Sequence, residues 1–316
     1  MVTFRMAISK AFNLVYYHLK PLIPRSFQIW MRRILALQKR RTYVNVWPIL
    51  EKASEQPKGW PRWPNQKRFA LVLTHDVDTA LGQERCHQLM EAEKQLGFSS
   101  SFNFVPERYN VSSSLRANLI QHGFEVGVHG LNHDGKLYSS KKVFQKRSTK
   151  INYYLRKWGS VGFRSPAMHH NLDWISDLEI EYDASTFDTD PFEPQPDGVD
   201  TIFPFWVKAS LGSKGFVELP CTLAQDFILF ILLRESNIDI WKSKVDWICS
   251  NGGMALLNTH PDYMNFNGEK LGLEEYPSHY YTDFLNYIKT KYEGQYWHAL
   301  PNEVASFTAN LVRDDS

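Results

Sequence analysis

The run Phe69-Ala70-Leu71-Val72-Leu73, which leads straight into Thr74-His75-Asp76-Val77-Asp78, constrains this chain most. Five apolar residues in a row, mostly bulky or β-branched, have the pattern of a strand buried on both faces. Two carboxylates then stand where that strand runs out into a loop, the edge at which α/β folds bind their ligands. If both are ionised they repel, and a bound cation removes the conflict because its charge dominates the site. A second strand-like run, Glu125-Val126-Gly127-Val128, ends in His129-Gly130-Leu131-Asn132-His133. One carboxylate plus two imidazoles four residues apart is a common way to hold a divalent metal with a position open for water.

From Lys67 onward, strand and helix patterns alternate. Strands are expected at Phe69–Thr74, Ser101–Val105, Glu125–Val128, up to Phe163-Arg164, at Ile180–Ser185, Phe216–Leu219, Met254–Leu257 and Tyr296–Ala299. Helices are expected at Leu81–Leu96, Leu115–His122, Lys141–Trp158, Trp241–Asn251 and Tyr280–Lys291. Repeated strand–helix units predict a parallel sheet. The chemistry-bearing residues Asp76, Asp78, His129, His133, Arg164 and His260 fall at successive strand ends. Residues scattered in sequence but all at strand C-termini converge on one mouth in a barrel. The expected fold is therefore a distorted, seven-stranded (β/α) barrel over residues 60–316, preceded by a basic helical arm and linker over 1–59. The boundary is set at the Pro-rich connector Trp60-Pro61-Arg62-Trp63-Pro64.

With those residues in view, the body resembles the polysaccharide deacetylase (NodB-homology) family of metal-dependent sugar deacetylases, from residue 67 to about 300. The first family motif, a base Asp and a metal-binding Asp, matches Asp76 and Asp78. The His-x-x-x-His pair matches His129 and His133, and Arg-x-Pro matches Arg164-Ser165-Pro166. An Asp-rich stretch near an aromatic matches Asp183–Phe192, and the motif ending in a catalytic His matches Leu257–His260. The resemblance implies Asp78, His129 and His133 as ligands of one divalent metal, most simply Zn2+, with Co2+, Ni2+ or Fe2+ as alternatives. It implies Asp76 as base, Arg164 as its orienting partner and His260 as proton donor to the leaving amine. Pro166, Phe192 and Leu257 are implied as substrate-binding residues, with backbone N–H groups after Pro166 receiving the oxyanion. A carboxylate beside His260 would keep it protonated; Asp188 and Asp190 are the foremost candidates, with Asp183 a third. Three departures from the family pattern bear on the sugar pocket: Val77 separates the two aspartates, Ala167 follows Pro166 where an aromatic is usual, and Pro191-Phe192 stands where a Trp is common.

The implied substrate is an acylated amino sugar, in a polymer or a lipid-linked precursor. Two other readings stand beside it: a catalytically inactive carbohydrate-binding relative, and a non-sugar amidase or deformylase on the same scaffold. No nucleic-acid partner is expected. Residues 1–50 hold nine Lys or Arg and no acid, while the remainder is net acidic by seven charges. Within the arm, Phe4, Ile8, Phe12, Val15 and Leu19 share one helical face, and Phe27, Trp30, Met31 and Ile34 share another beyond Pro21 and Pro24. A basic amphipathic arm of this kind, residues 1–42, predicts contact with an anionic membrane surface, apolar face down. Three cysteines with no pairing pattern, and no run with the form of a signal peptide, predict a cytoplasmic protein peripheral to the membrane's inner face.

Overall fold

The computed structural model describes residues 23–208, 214–268 and 270–314. Helix α1 (Arg25–Thr42) precedes the body. The body then runs β1 (Phe69–Val77), α2 (Ala80–Leu96), β2 (Ser101–Phe104), α3 (Ser113–Gln121), β3 (Glu125–His129), α4 (Lys141–Trp158), β4 (Gly162–Arg164) and β5 (Tyr182–Asp183). It continues with β6 (Phe205–Val207), β7 (Phe216–Glu218), a π-helix (Phe227–Leu232), α5 (Asp239–Asn251) and β8 (Met254–Thr259). A small pair, β9 (Met264–Asn265) and β10 (Tyr276–Pro277), leads to α6 (His279–Lys291), β11 (Tyr296–His298) and α7 (Pro301–Asp314).

Strand β1 is central, pairing in parallel with β8, with β2 at its C-terminal half and with β11 at its N-terminal half. The sheet continues β2-β3-β4-β5-β7 in parallel and ends on β6, its antiparallel edge. Beyond β7 the chain returns to β8, where the Thr222 and Leu223 amides donate to the Leu256 carbonyl, 3.2 and 3.1 Å away. The sheet thus curls into a distorted (β/α) barrel, as expected. Among the described residues it carries nine strands rather than seven; the short β6 is the one strand of the sheet outside the expected set.

The two-residue period of a strand sorts the core into two layers. On β1, Ala70 and Val72 point into the barrel beside Met254 and Leu256 of β8 and Val217 of β7. Phe69, Leu71 and Leu73 point outward under the helices. The same parity carries Asp76 and Asp78 to the inner side of the mouth and turns His75 outward. There His75 is fully buried between Thr259 (2.7 Å) and Glu93 (2.9 Å).

The two tryptophans of the expected connector pack into the body. Trp63 is buried in the barrel's floor against Trp297 and Phe307 of the last elements, and Trp60 packs on Trp63 and Phe203. The Ile202 amide also bonds the Ala53 carbonyl, so the stretch before residue 60 is stitched to the body rather than left as a free linker.

Helix α1 lies on the body with its polarity inverted. Arg33 donates to the Ile231 carbonyl at 2.8 Å, Lys39 to Pro191 at 2.5 Å, and Arg25 to Glu274 at 2.8 Å, while Arg40 pairs with Glu235. Ile29 and Ala36 are buried beneath these groups. Phe27, Trp30, Ile34 and Leu37 instead face outward, each about half exposed, with Phe27 and Trp30 stacked at 5.4 Å. The apolar stripe is where the periodicity puts it. The basic groups expected at lipid headgroups are engaged by the body instead, because its acidic rim and free carbonyls lie within their reach. The first apolar face, Phe4 to Leu19, lies outside the described residues.

Candidate active site

The mouth is built from loops that leave β1, β3, β4 and β8. Asp78 follows β1, and its carboxylate Oδ1 lies 3.4 Å from His129 Nε2 and 3.1 Å from His133 Nε2. That oxygen is buried and takes no hydrogen bond within the chain. His129 ends β3, and its Nδ1 donates to the Arg164 carbonyl at 3.0 Å, which leaves the Nε2 lone pair facing Asp78. The three ligand atoms lie within 4.8 Å of one another. A buried, unpaired carboxylate oxygen beside two correctly oriented imidazole lone pairs is the donor set a divalent cation takes. Burial alone would raise the Asp78 carboxyl, but the two histidines outweigh it and hold it well below the ordinary carboxylate range.

Backbone conformations fix this cradle. Gly130 has φ +60°, and a Cβ there would fall 2.5 Å from Pro166 Cγ. His133 itself sits at φ +52°. The Asp78 amide donates to Asp262 Oδ2 at 2.9 Å, and the Thr79 hydroxyl donates to Asp262 Oδ1 at 2.5 Å, which ties the ligand loop to the β8 side of the barrel.

Asp76 is buried and served from three sides. Asn103 Nδ2 donates to Oδ1 at 3.0 Å, Asn258 Nδ2 to Oδ2 at 2.9 Å, and Arg164 Nη1 approaches Oδ1 at 3.4 Å. Arg164 is fully buried and anchored by the Ala184 carbonyl (2.7 Å) and Thr74 Oγ1 (2.8 Å). Burial pushes the Asp76 carboxyl up, yet His129, Arg164, His260 and Asn103 together bring it below its ordinary value, so it stays an anion. Asn103 reaches it over Gly127, where a Cβ would fall 1.9 Å from the amide oxygen.

His260 follows β8 on the opposite side of the mouth. Its partner is Asp226, which corrects the expectation of Asp188, Asp190 or Asp183. His260 Nδ1 donates to Asp226 Oδ1 and the His260 amide to Oδ2, both at 2.7 Å, and the Tyr276 hydroxyl donates to Oδ2 at 3.1 Å. Burial would lower the imidazole, but Asp226, with Asp78 and Asp76 beyond it, raises it to about 10. The three expected carboxylates have other partners. Asp188 forms a buried ion pair with Lys244 at 2.5 Å. Asp190 accepts the Phe192 amide at 2.8 Å. Asp183 points outward from β5, where Ser185 Oγ donates to it at 2.6 Å.

The expected substrate contacts separate likewise. Pro166 lines a cleft beside the metal cradle, together with His133, Tyr138, Arg147 and His169. Leu257 is buried on the outer face of β8, since strand parity turns its side chain away from the mouth. Phe192 is buried edge-on against Trp47, 4.8 Å away, so it serves as wall rather than contact surface. Of the amides after Pro166, those of Met168 and His169 are bonded to the Ser165 and Pro166 carbonyls, at 3.3 and 3.4 Å, and so are not open to an oxyanion.

No family model and no curated protein matches the chain. Solved structures do. A protein designated a polysaccharide deacetylase from Mycobacterium smegmatis superposes with TM-score 0.62 at 16% identity, over 81% of this chain and 96% of that one. The allantoinase Puue gives 0.58 at 15% identity, over 78% and 93%. A protein designated a polysaccharide deacetylase from Pseudomonas aeruginosa PAO1 gives 0.57 at 15%, over the same shares. The chain therefore has the NodB-homology, polysaccharide deacetylase fold.

Proposed function

We propose that this protein is a metal-dependent hydrolase that removes an acetyl or similar acyl group from an amino sugar of a polysaccharide or its lipid-linked precursor. The observation that carries this reading is the pairing of a metal cradle with an Asp226–His260 dyad across one mouth, with Asp76 between them. Asp78, His129 and His133 would hold the ion, Zn2+ by their donor set, with Co2+, Ni2+ or Fe2+ as alternatives. When bound, it supplies Lewis acidity toward the acyl carbonyl and makes water more acidic.

The chain's own groups do the rest. Asp76, held anionic by Arg164, Asn103 and Asn258, takes the proton of the attacking water. His260, held as imidazolium by Asp226, gives a proton to the departing amine. Both oxygens of Asp76 are already engaged, which supports its role as base rather than ligand. Metal analysis with acetate release from a panel of N-acetylated amino sugars tests this reading. One ion per chain and release from at least one sugar are expected. An Asp76→Ala variant should keep its metal and lose turnover; loss of the ion in that variant would reverse the two aspartates.

A second reading, hydrolysis of a non-sugar amide, draws on one observation: the TM-score for the allantoinase, 0.58, lies between those for the two deacetylases, 0.62 and 0.57. Hydrolysis of a cyclic or linear ureide, with no acetate released from any sugar in the panel, would favour it.

We infer further that the substrate is met at the cytoplasmic face of a membrane. The outward stripe Phe27, Trp30, Ile34 and Leu37 supports this, since aromatic and aliphatic groups on one helical face bury well in an interface. Three free, buried cysteines suit a reducing compartment. Among the described residues no helix is long and apolar enough to cross a membrane. Full-length protein should co-sediment with anionic vesicles and a Phe27→Glu/Trp30→Glu/Ile34→Glu variant should not; equal binding by both would remove the membrane from the account.

A further inference from the structure

Three basic side chains of helix α1 meet one short stretch of the body, residues 227–235. Arg33 Nε donates to the Ile231 carbonyl at 2.8 Å, the Arg32 guanidinium lies 4.5 Å over the Phe227 ring, and Arg40 pairs with Glu235. Most of that stretch is the fully buried π-helix Phe227–Leu232. It begins immediately after Asp226, whose Oδ1 accepts both the Phe227 amide at 2.8 Å and His260 Nδ1 at 2.7 Å. A second line of contact runs through rings. Phe227 lies 5.1 Å from Tyr263, and Tyr263 lies 5.0 Å from His260.

π-Helices are rare, short, and frequently found at functional sites. The final carbonyls of such a helix need donors from elsewhere. Here Arg33 supplies one of them from a different part of the chain, and Arg32 covers the ring at the other end. We propose that α1 is a positioning element of the catalytic apparatus: Arg33 and Arg32 hold the 227–232 helix so that Asp226 stays locked on His260. This rests on the reading of Asp226 and His260 as the proton-donating pair. It makes the helix a working part of the mouth on its inner side, whatever its outer side meets. Displacements of about 1 Å in such a pair cost on the order of 100-fold in rate.

Full-length, metal-loaded Arg33→Met, Arg33→Lys, Arg25→Met and Asp226→Asn variants test it. The measurements are acetate release from an N-acetylglucosamine oligomer, metal content, and hydrogen exchange of the 226–233 amides. Arg33→Met should lower kcat by about 10- to 100-fold with KM and metal content unchanged, and should speed exchange in that segment. Arg33→Lys, which still offers a donor, should recover most of both. Arg25→Met, which removes the bond to Glu274 rather than a bond to the π-helix, should resemble the wild type. Wild-type kcat and exchange in Arg33→Met, or the same loss in Arg25→Met, would overturn the proposal. If Arg33→Met does not fold, Arg32→Met carries the same expectation for exchange and the same overturning result. If the oligomer is not turned over by the wild type, exchange alone decides. Wild-type turnover in Asp226→Asn would instead sink the reading of the site, whereas loss there without loss in Arg33→Met would sink only this inference.

Discussion

The two sides of the mouth are built differently. The candidate metal cradle comes from the ends of two strands, β1 and β3, and its three residues occupy two short segments. The side proposed to donate the proton joins His260 after β8 to Asp226 before a π-helix, Tyr276 of a small β-pair, and through the π-helix an arm that precedes the barrel. Strand ends inherit their geometry from register, so a two-residue spacing such as Asp76-x-Asp78 fixes which face both carboxylates share. Loop and π-helix positions inherit theirs from tertiary packing. One side can be rebuilt from local sequence, and the other depends on distant segments.

The largest expected effect separates the sides by metal content. Asp78→Ala should lose both the ion and all measurable turnover. His260→Ala should keep the ion and lose about 100- to 10,000-fold in kcat. Metal loss in His260→Ala would mean that the two sides are not independent.

The pH profile sharpens the same contrast. Asp76 is depressed, so its base form is lost only as pH falls below the ordinary carboxylate range. His260 is raised to about 10, so its acid form is lost as pH rises through that value, or somewhat below it once the ion's charge is present. The His260–Asp226 contribution to stability has the same sign. It is full below the ordinary histidine pKa of about 6.5 and lost as pH climbs through the raised one. A profile of kcat/KM against pH with an alkaline limb near 6.5 would show an unassisted imidazole.

A smaller effect concerns the cradle alone. Gly130→Ala forces a Cβ onto Pro166 at a left-handed φ, and should cost about 1–3 kcal/mol in stability, read by thermal unfolding. It should weaken metal binding while leaving the titration of His260 in place.

These differences explain what the sequence discloses. The alternation of strands and helices, and all three ligands, follow from apolar runs and the residues that end them. The partner of His260 does not. Asp226 stands before Phe-Ile-Leu-Phe-Ile-Leu-Leu, a run that reads as core and is core, and its side chain gains a role only because a π-helix turns it toward β8. The one available signal was an acid at the position that caps an apolar helix. Asp188 sat closer to the expected motif, but Lys244 on α5 claims it, a pairing that no local spacing reveals. Leu257 lies outside the mouth by strand parity, since the side chains on either side of it, Leu256 and Asn258, point into the barrel. The inward turn of the arm's arginines likewise depends on where Glu235, Glu274 and the π-helix carbonyls come to lie.

The central claim, that a metal cradle and a separate Asp226–His260 pair act across one mouth, is met most directly by assaying metal-loaded Asp226→Asn for ion content and for its kcat–pH profile together. The account predicts one ion per chain, kcat lower by about 100-fold or more, and an alkaline limb moved down toward the ordinary histidine value. Wild-type kcat with an unmoved limb, or loss of the ion, would contradict it.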